Sequence, residues 1–219
     1  MIQAKGEGII NLINLKKKGF MTRLESSIVE PIRLDFSPIH LSDEQFYQLC
    51  LANPEQPLEL TATGVLIIMS PVGGESGKRE MHLGSQVYNW NTQTQLGEVF
   101  SSSTVFRLPL GGQRSPDVAW IKLERWNVLT PEQQQKFPPI APDFLIELRS
   151  HTDKLSDLQE KMLEYQANGV RLGLLINPQE RQVEIYRVNR EVEILQSPTE
   201  VSGEEVLPGF ILDLSKIWI

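Results

Sequence analysis

Glu147 and Arg149 stand inside an apolar, β-favouring run, FLIELRS at residues 144–150, with Pro before it and polar turn residues after it. Strand side chains alternate between faces, so Asp143, Leu145, Glu147 and Arg149 share one side, and Phe144, Ile146 and Leu148 the other. A carboxylate and a guanidinium on so apolar a strand must be hydrogen-bonded, paired, or engaged with a metal ion. A second acid is then needed, and the Pro-Asp pairs at 116–117 and 142–143 offer two. Asp143 is four residues before Glu147, about 13 Å along an extended strand at roughly 3.3 Å per residue. One Mg²⁺, with oxygen ligands about 2.1 Å away, cannot bridge that gap. Asp117 lies on a different predicted strand, and paired strands run only about 4.8 Å apart. If a metal binds, Asp117 and Glu147 hold it, and Asp143 is a strand-edge or turn residue. The competing reading is structural: Glu147 paired with Arg149 or Lys161 as a buried ion pair that fixes a helix on the sheet.

The elements that must position these groups follow from periodicity. A helix is expected from Thr152 or Asp153 to Asn168-Gly169, with an apolar stripe of Leu155, Leu158, Met162 and Tyr165. Lys154 and Lys161, seven apart, fall on nearly the same face. Residues 115–123 read as a strand with Val118 and Trp120 on one side and Asp117, Ala119 and Ile121 on the other. Upstream, Ser42 and Gln45 form a capping box for a helix ending before Asn53-Pro54. Residues 58–63 and 65–70 read as a hairpin about Gly64, its almost wholly apolar second strand expected to be central. A helix from 73–74 to about 96 carries Leu83, Val87 and Trp90 on its buried stripe, with Glu80 on the same face. Residues 99–108 read as a strand, and Thr130-Pro131 opens a short helix. Strands are expected at 172–177, 182–188 and 191–195, and the tail LPGFILDLSKIWI as a segment docking at a sheet edge. The order implies an α/β fold, a mixed sheet flanked by helices.

The chain has 219 residues, is 40% hydrophobic, and holds no apolar run of membrane-spanning length, which suits one sizeable core. Residues 1–40 are expected to be a partly flexible extension and 41–219 the folded domain. The basic run Lys16, Lys17, Lys18 follows the apolar part of the first twenty residues, the reverse of a secretory signal, and Met21 offers an alternative start. The single cysteine, Cys50, excludes an intramolecular disulfide and reads as part of an apolar helix face. The protein is expected to be cytoplasmic, with no membrane partner. A net charge of −7 argues against a generic nucleic-acid coat but not against an enzyme that meets phosphate through divalent cations.

Pro116-Asp117 followed some thirty residues later by Glu147-Leu148-Arg149 resembles the PD-(D/E)XK nuclease pattern. Five collinear segments are similar to one branch of it, the Uma-two family of restriction-endonuclease-like proteins: MSPVGGESG (69–77), RSPDVAWI (114–121), PDFLIELRS (142–150), LQEKMLEYQANGV (158–170) and INPQERQVEIYR (176–187). The resemblance implies a restriction-endonuclease-like mixed β-sheet flanked by α-helices. It also implies Mg²⁺ (or Mn²⁺ in its place) on Asp117 and Glu147, with the Leu148 carbonyl as a further ligand and a lysine near the attacking water. The chain departs from the pattern where Arg149 stands for that lysine. Arginine stays protonated and serves as an anion or carboxylate partner instead of a base. Lys161, in the family-like KMLEY segment, takes the lysine's place, with Lys154 second. A further acid from the first core helix is Glu75, by motif, ahead of Glu80, by periodicity.

These expectations add up to a Mg²⁺-dependent endonuclease hydrolysing DNA, with catalytic residues Asp117, Glu147, Lys161, Glu75 and Arg149, working as a homodimer by analogy with its fold. The alternatives are a catalytically inactive nuclease scaffold used for binding or dimerisation, and hydrolysis of a small phosphate ester. His40, His82 and His151 are too dispersed for a metal triad, and Ser101–Ser103 and Gly73-Gly74 match neither a nucleophile elbow nor a phosphate loop.

Overall fold

The computed structural model describes residues 30–218, so most of the expected extension and the alternative start at Met21 lie outside the described residues. In chain order the elements are β1 (Ile32–Asp35), α1 (Asp43–Ala52), β2 (Leu58–Leu60), β3 (Val65–Ile68), α2 (Gly74–Thr94), β4 (Gly97–Ser101), β5 (Phe106–Arg107), β6 (Gln113–Arg114) and β7 (Val118–Lys122). There follow α3 (Leu123–Trp126), α4 (Pro131–Gln135), β8 (Phe144–Leu148), α5 (Leu155–Ala167), β9 (Leu172–Asn177), β10 (Gln182–Arg187), β11 (Glu193–Gln196), β12 (Glu200–Ser202) and β13 (Ile211–Asp213).

The main sheet runs β11-β10-β9-β8-β7-β4. Its one parallel pair is β8 with β9, joined through α5, and its other pairs are antiparallel. This is the mixed sheet expected. The alternation read from the sequence holds: Val118, Trp120, Phe144 and Ile146 pack on one face with Leu83 and Val87 of α2. Ala119, Ile121 and Leu145 pack on the other with Met162 and Tyr165 of α5.

Three elements depart from expectation. The hairpin β2–β3 forms about Gly64, whose φ of +86° suits glycine, but β3 is central to a separate five-stranded antiparallel sheet, β1-β3-β2-β6-β5. The run at 99–108 is not one strand: β4 ends at Ser101, and β5 resumes at Phe106 in the second sheet. The tail does not extend a main-sheet edge. β13 pairs with β12, and its Asp213 exchanges backbone hydrogen bonds with the Gln86 side chain of α2 at 2.8 and 2.9 Å. Leu207, Phe210, Leu212, Leu214 and Ile217 then complete the core on the α2 face.

α5 is capped as the sequence indicated at its C-terminus, with Asn168 closing it and Gly169 at φ +90°. Its N-terminus is later than expected, since Lys154 is the capping position and lies outside the helix. The second sheet meets α5 at the β2–β3 turn, where the Ala62 N–H donates to Glu164 Oε1 at 3.0 Å. Between this sheet, α5 and the ends of β7 and β8 lies a cavity of about 470 Å³.

Candidate active site

Asp117 precedes β7 and Glu147 is the penultimate residue of β8, and the antiparallel pairing of these strands brings both to one wall of the cavity. Asp117 Oδ2 accepts the Leu148 backbone N–H at 2.6 Å, so its carboxyl is fixed one residue from Glu147. Glu147 is 3% exposed, and its Oε1 accepts from Lys161 Nζ at 2.8 Å and from Tyr165 Oη at 3.0 Å. Among the described residues the second oxygen of each carboxylate carries no hydrogen bond.

The charge around this pair is tightly organised. Lys161 Nζ also reaches Glu59 Oε1 on β2 at 2.9 Å and donates to the Ser115 carbonyl at 3.2 Å. Glu59 Oε2 pairs with Arg114 Nη1 at 3.0 Å, and Arg114 donates onward to Glu164 Oε2 from Nε at 2.8 Å and from Nη2. The network thus runs Glu147–Lys161–Glu59–Arg114–Glu164, tying β8, α5, β2 and β6 together.

Burial drives the Asp117 carboxyl well above its ordinary pKa, and the neighbouring Glu147 charge adds to this, against the opposing pull of Lys161 and the Leu148 N–H. Burial likewise raises Glu147, which Lys161 only partly offsets. For Lys161, burial alone would lower the ammonium's pKa, but the carboxylates of Glu147 and Glu59 outweigh it and hold it above its usual value. Lys161 is thus held as a cation between two carboxylates. Glu59 resists burial through Lys161 and Arg114 and lies below the ordinary carboxylate range.

Of the residues singled out by sequence, Asp117, Glu147, Leu148 and Lys161 line the cavity. Glu80 lines it too, accepting from Ser102 Oγ at 2.5 Å, whereas Glu75 points away, two-thirds exposed and paired with Lys78. Of the two acids offered by the first core helix, it is therefore Glu80 that lies at the cavity, while Glu75 sits in the helix's first turn. Arg149 is also turned from the cavity: its Nε donates to the Asp153 carbonyl at 3.2 Å and its Nη1 to Asn177 at 3.4 Å. Lys154 reaches the cavity rim, paired with Glu30 at 2.9 Å. Asp143 stands, as expected, in a bend at the strand end, just before β8. It is 1% exposed, away from the cavity, accepting the Lys122 N–H and pairing with Arg125.

Sequence reasoning missed Glu59, Arg114 and Glu164. Glu59 had a signal, an acid between Leu58 and Leu60 in a short apolar strand, of the same kind that drew attention to Glu147. A further buried acid, Glu184 on β10, is satisfied by Gln159 and Tyr186 at 2.8 and 2.6 Å and lies outside the cavity.

Among the described residues no group of three or more His, Cys, Asp or Glu side chains is arranged to hold a metal ion. An all-protein cage is therefore not offered. Two adjacent carboxylates, each with an unbonded oxygen, do fit a cation of the Mg²⁺ type, which keeps several waters and takes one or two carboxylates. Nine acidic and four basic side chains line the cavity, an excess that only bound cations make compatible with phosphate.

The Uma2 family profile, described as "Putative restriction endonuclease", matches residues 43–215. No curated protein matches the chain. Among solved structures, a "putative nuclease" from Anabaena variabilis is similar with a TM-score of 0.63 at 19% identity, over 74% of this chain and 89% of that one. That likeness supports the fold.

Proposed function

The chain belongs to the Uma2 family of restriction-endonuclease-like proteins, and from that premise we propose that it is a divalent-metal-dependent endonuclease cleaving phosphodiester bonds of DNA. The observation that carries this reading is the meeting of Asp117 and Glu147 on one cavity wall with the Lys161 ammonium 2.8 Å from Glu147. Asp117 and Glu147 would hold Mg²⁺, and Mn²⁺ would substitute. When bound, such an ion supplies Lewis acidity and a water of lowered pKa at neutral pH. The chain's own residues do the rest. The Leu148 N–H and Tyr165 Oη orient the two carboxylates. Lys161 opposes the effect of burial on Glu147 and places a positive charge beside the site, where charge builds on a reacting phosphate. Glu80, anchored by Ser102, is a further acid on the cavity wall.

Plasmid nicking tests this. Wild type with Mg²⁺ or Mn²⁺ is expected to nick, EDTA to abolish nicking, and Asp117→Asn or Glu147→Gln to reduce it at least about a hundredfold, the scale on which loss of a metal ligand or its close support is felt. Equal nicking by wild type and Glu147→Gln would reject the assigned site.

A second reading, a scaffold without catalysis, has one observation on its side: Lys161 is saturated by Glu59, Glu147 and the Ser115 carbonyl. Calorimetric titration with Mn²⁺ separates the two. Absence of binding at millimolar Mn²⁺ favours the scaffold.

A further inference from the structure

The cavity has a second wall that the carboxylates do not use. β3 is apolar on both faces. Leu66 and Ile68 turn into the second sheet's core with Phe46 of α1, whereas Val65, Ile67 and Met69 line the cavity, with Val72 just beyond. None of these four joins a hydrophobic cluster among the described residues, although Ile67 is only 6% exposed. They form an apolar strip facing a polar cavity.

Strand register places this strip. Arg33 on β1 is directly opposite Ile67, and Ile67 is directly opposite Glu59 on β2. Directly opposed residues share a face with Cβ atoms about 5 Å apart. Glu59 is in turn 2.9 Å from Lys161, which is 2.8 Å from Glu147. Across the sheet the row therefore reads guanidinium, apolar strip, then the carboxylate site.

We propose that this strip is a nucleobase subsite, and that the site takes its nucleic acid through an unpaired nucleotide, in a single strand, a flap or an end, and not as intact duplex. The inference rests on the phosphodiesterase reading for where the scissile phosphate sits. A cavity of about 470 Å³ is of small-ligand size. A base enters such a cavity only when it is out of the stack, where apolar side chains cover its faces. Duplex DNA brings about one charge per 1.7 Å to a rim already rich in carboxylates, and a single strand brings half that density. On the far side of the strip, Arg33 is held by Asp157 in a pair that is 40% exposed on both sides. Exposed pairs hold weakly, so Arg33 can exchange its partner for the neighbouring phosphate. No aromatic side chain lines the cavity among the described residues, so binding is expected to be tolerant of base identity.

Fluorescence anisotropy with a short labelled deoxyoligonucleotide and the full chain in Ca²⁺ tests this without requiring cleavage. The single strand is expected to bind at least about tenfold tighter than the blunt duplex of the same sequence. Met69→Ala should weaken single-strand binding about tenfold, the loss of one apolar contact surface. Val72→Ser, at a 54% exposed position that folding does not depend on, should weaken it in the same direction. Met81→Ala, 72% exposed on α2 and away from the cavity, should leave it unchanged. Duplex binding as tight as the single strand, no binding of either, or indifference to both Met69→Ala and Val72→Ser overturns the subsite. Single-strand preference with Met69 dependence but no cleavage in Mg²⁺ or Mn²⁺ keeps the subsite and rejects the phosphodiesterase. Duplex cleavage with duplex-preferring binding does the reverse.

Discussion

Lys161 is shared between Glu147 and Glu59, and in both it works against the effect of burial. The two acids diverge because Glu59 has further support from Arg114 and the Ser115 N–H, at 3.0 and 2.9 Å, whereas Glu147 faces Asp117. Glu59→Gln leaves two buried cations short of a carboxylate, and breaking such a pair costs about 3 kcal/mol. For a chain of this size the expected fall in Tm is roughly 6–12 °C at pH 7. Because the folded-state pKa of Glu59 is depressed below 4.5, its contribution is present above that pH and lost as pH falls through the lowered value. The gap between Glu59→Gln and wild type should therefore narrow in acid, as denaturation at successive pH values would show. Asp117 has the opposite sign. Its raised pKa means that the native state binds more protons, so stability is lost as pH rises from 3.8 through the raised value. Asp117→Asn should raise Tm by about 2 °C or more at neutral pH, with the advantage vanishing near pH 4. A lower Tm at pH 7 would mean that the Asp117 charge is stabilised by something other than the groups around it.

At the scale of elements, patterning made the main sheet and its helices legible. The alternation at 118–121 and 144–148 and the three-four stripe of α5 are strong because each residue has a buried face to satisfy. What was lost concerns partners and not periods. Nothing in the apolar β3 run says which sheet it joins, and the 99–108 run looks continuous because Ser101–Ser103 is compatible with a strand. Likewise, Glu147 announced itself by its apolar surroundings, but Arg114 and Glu164 read as ordinary surface charges until β6 and α5 are brought together. One junction was invisible for a steric reason. At Gly97, where β4 starts, the Asn91 side chain bonds both backbone groups at 2.8 and 3.1 Å and also accepts from the Trp120 indole at 2.8 Å. A Cβ there would fall 2.5 and 2.6 Å from the Trp120 ring, which is 1% exposed and cannot yield. Gly97→Ala is thus expected to cost about 2–3 kcal/mol, seen as a denaturation midpoint shifted with unchanged slope.

Taken as a molecule, the protein sets two sheets around a cavity whose lining is acidic and whose inner acids repel each other. On the proposed function its stability and its affinity for a metal ion would therefore be coupled. A divalent cation held by Asp117 and Glu147, as proposed, would remove their repulsion and bind the folded chain alone, and so is expected to raise Tm by mass action, by about 2.7 kcal/mol at a hundred times Kd. For a chain of this size that is roughly 5–11 °C. Asp117→Asn relieves the same repulsion by deleting the charge. The variant should start above wild type without metal and gain little from Mg²⁺ or Mn²⁺, so that the two melting curves cross as cation is added. Glu75→Gln, outside the cavity, should follow wild type throughout. Parallel curves for wild type and Asp117→Asn would place the cation elsewhere among the cavity's carboxylates, with Glu80 and Glu147 the pair to test next.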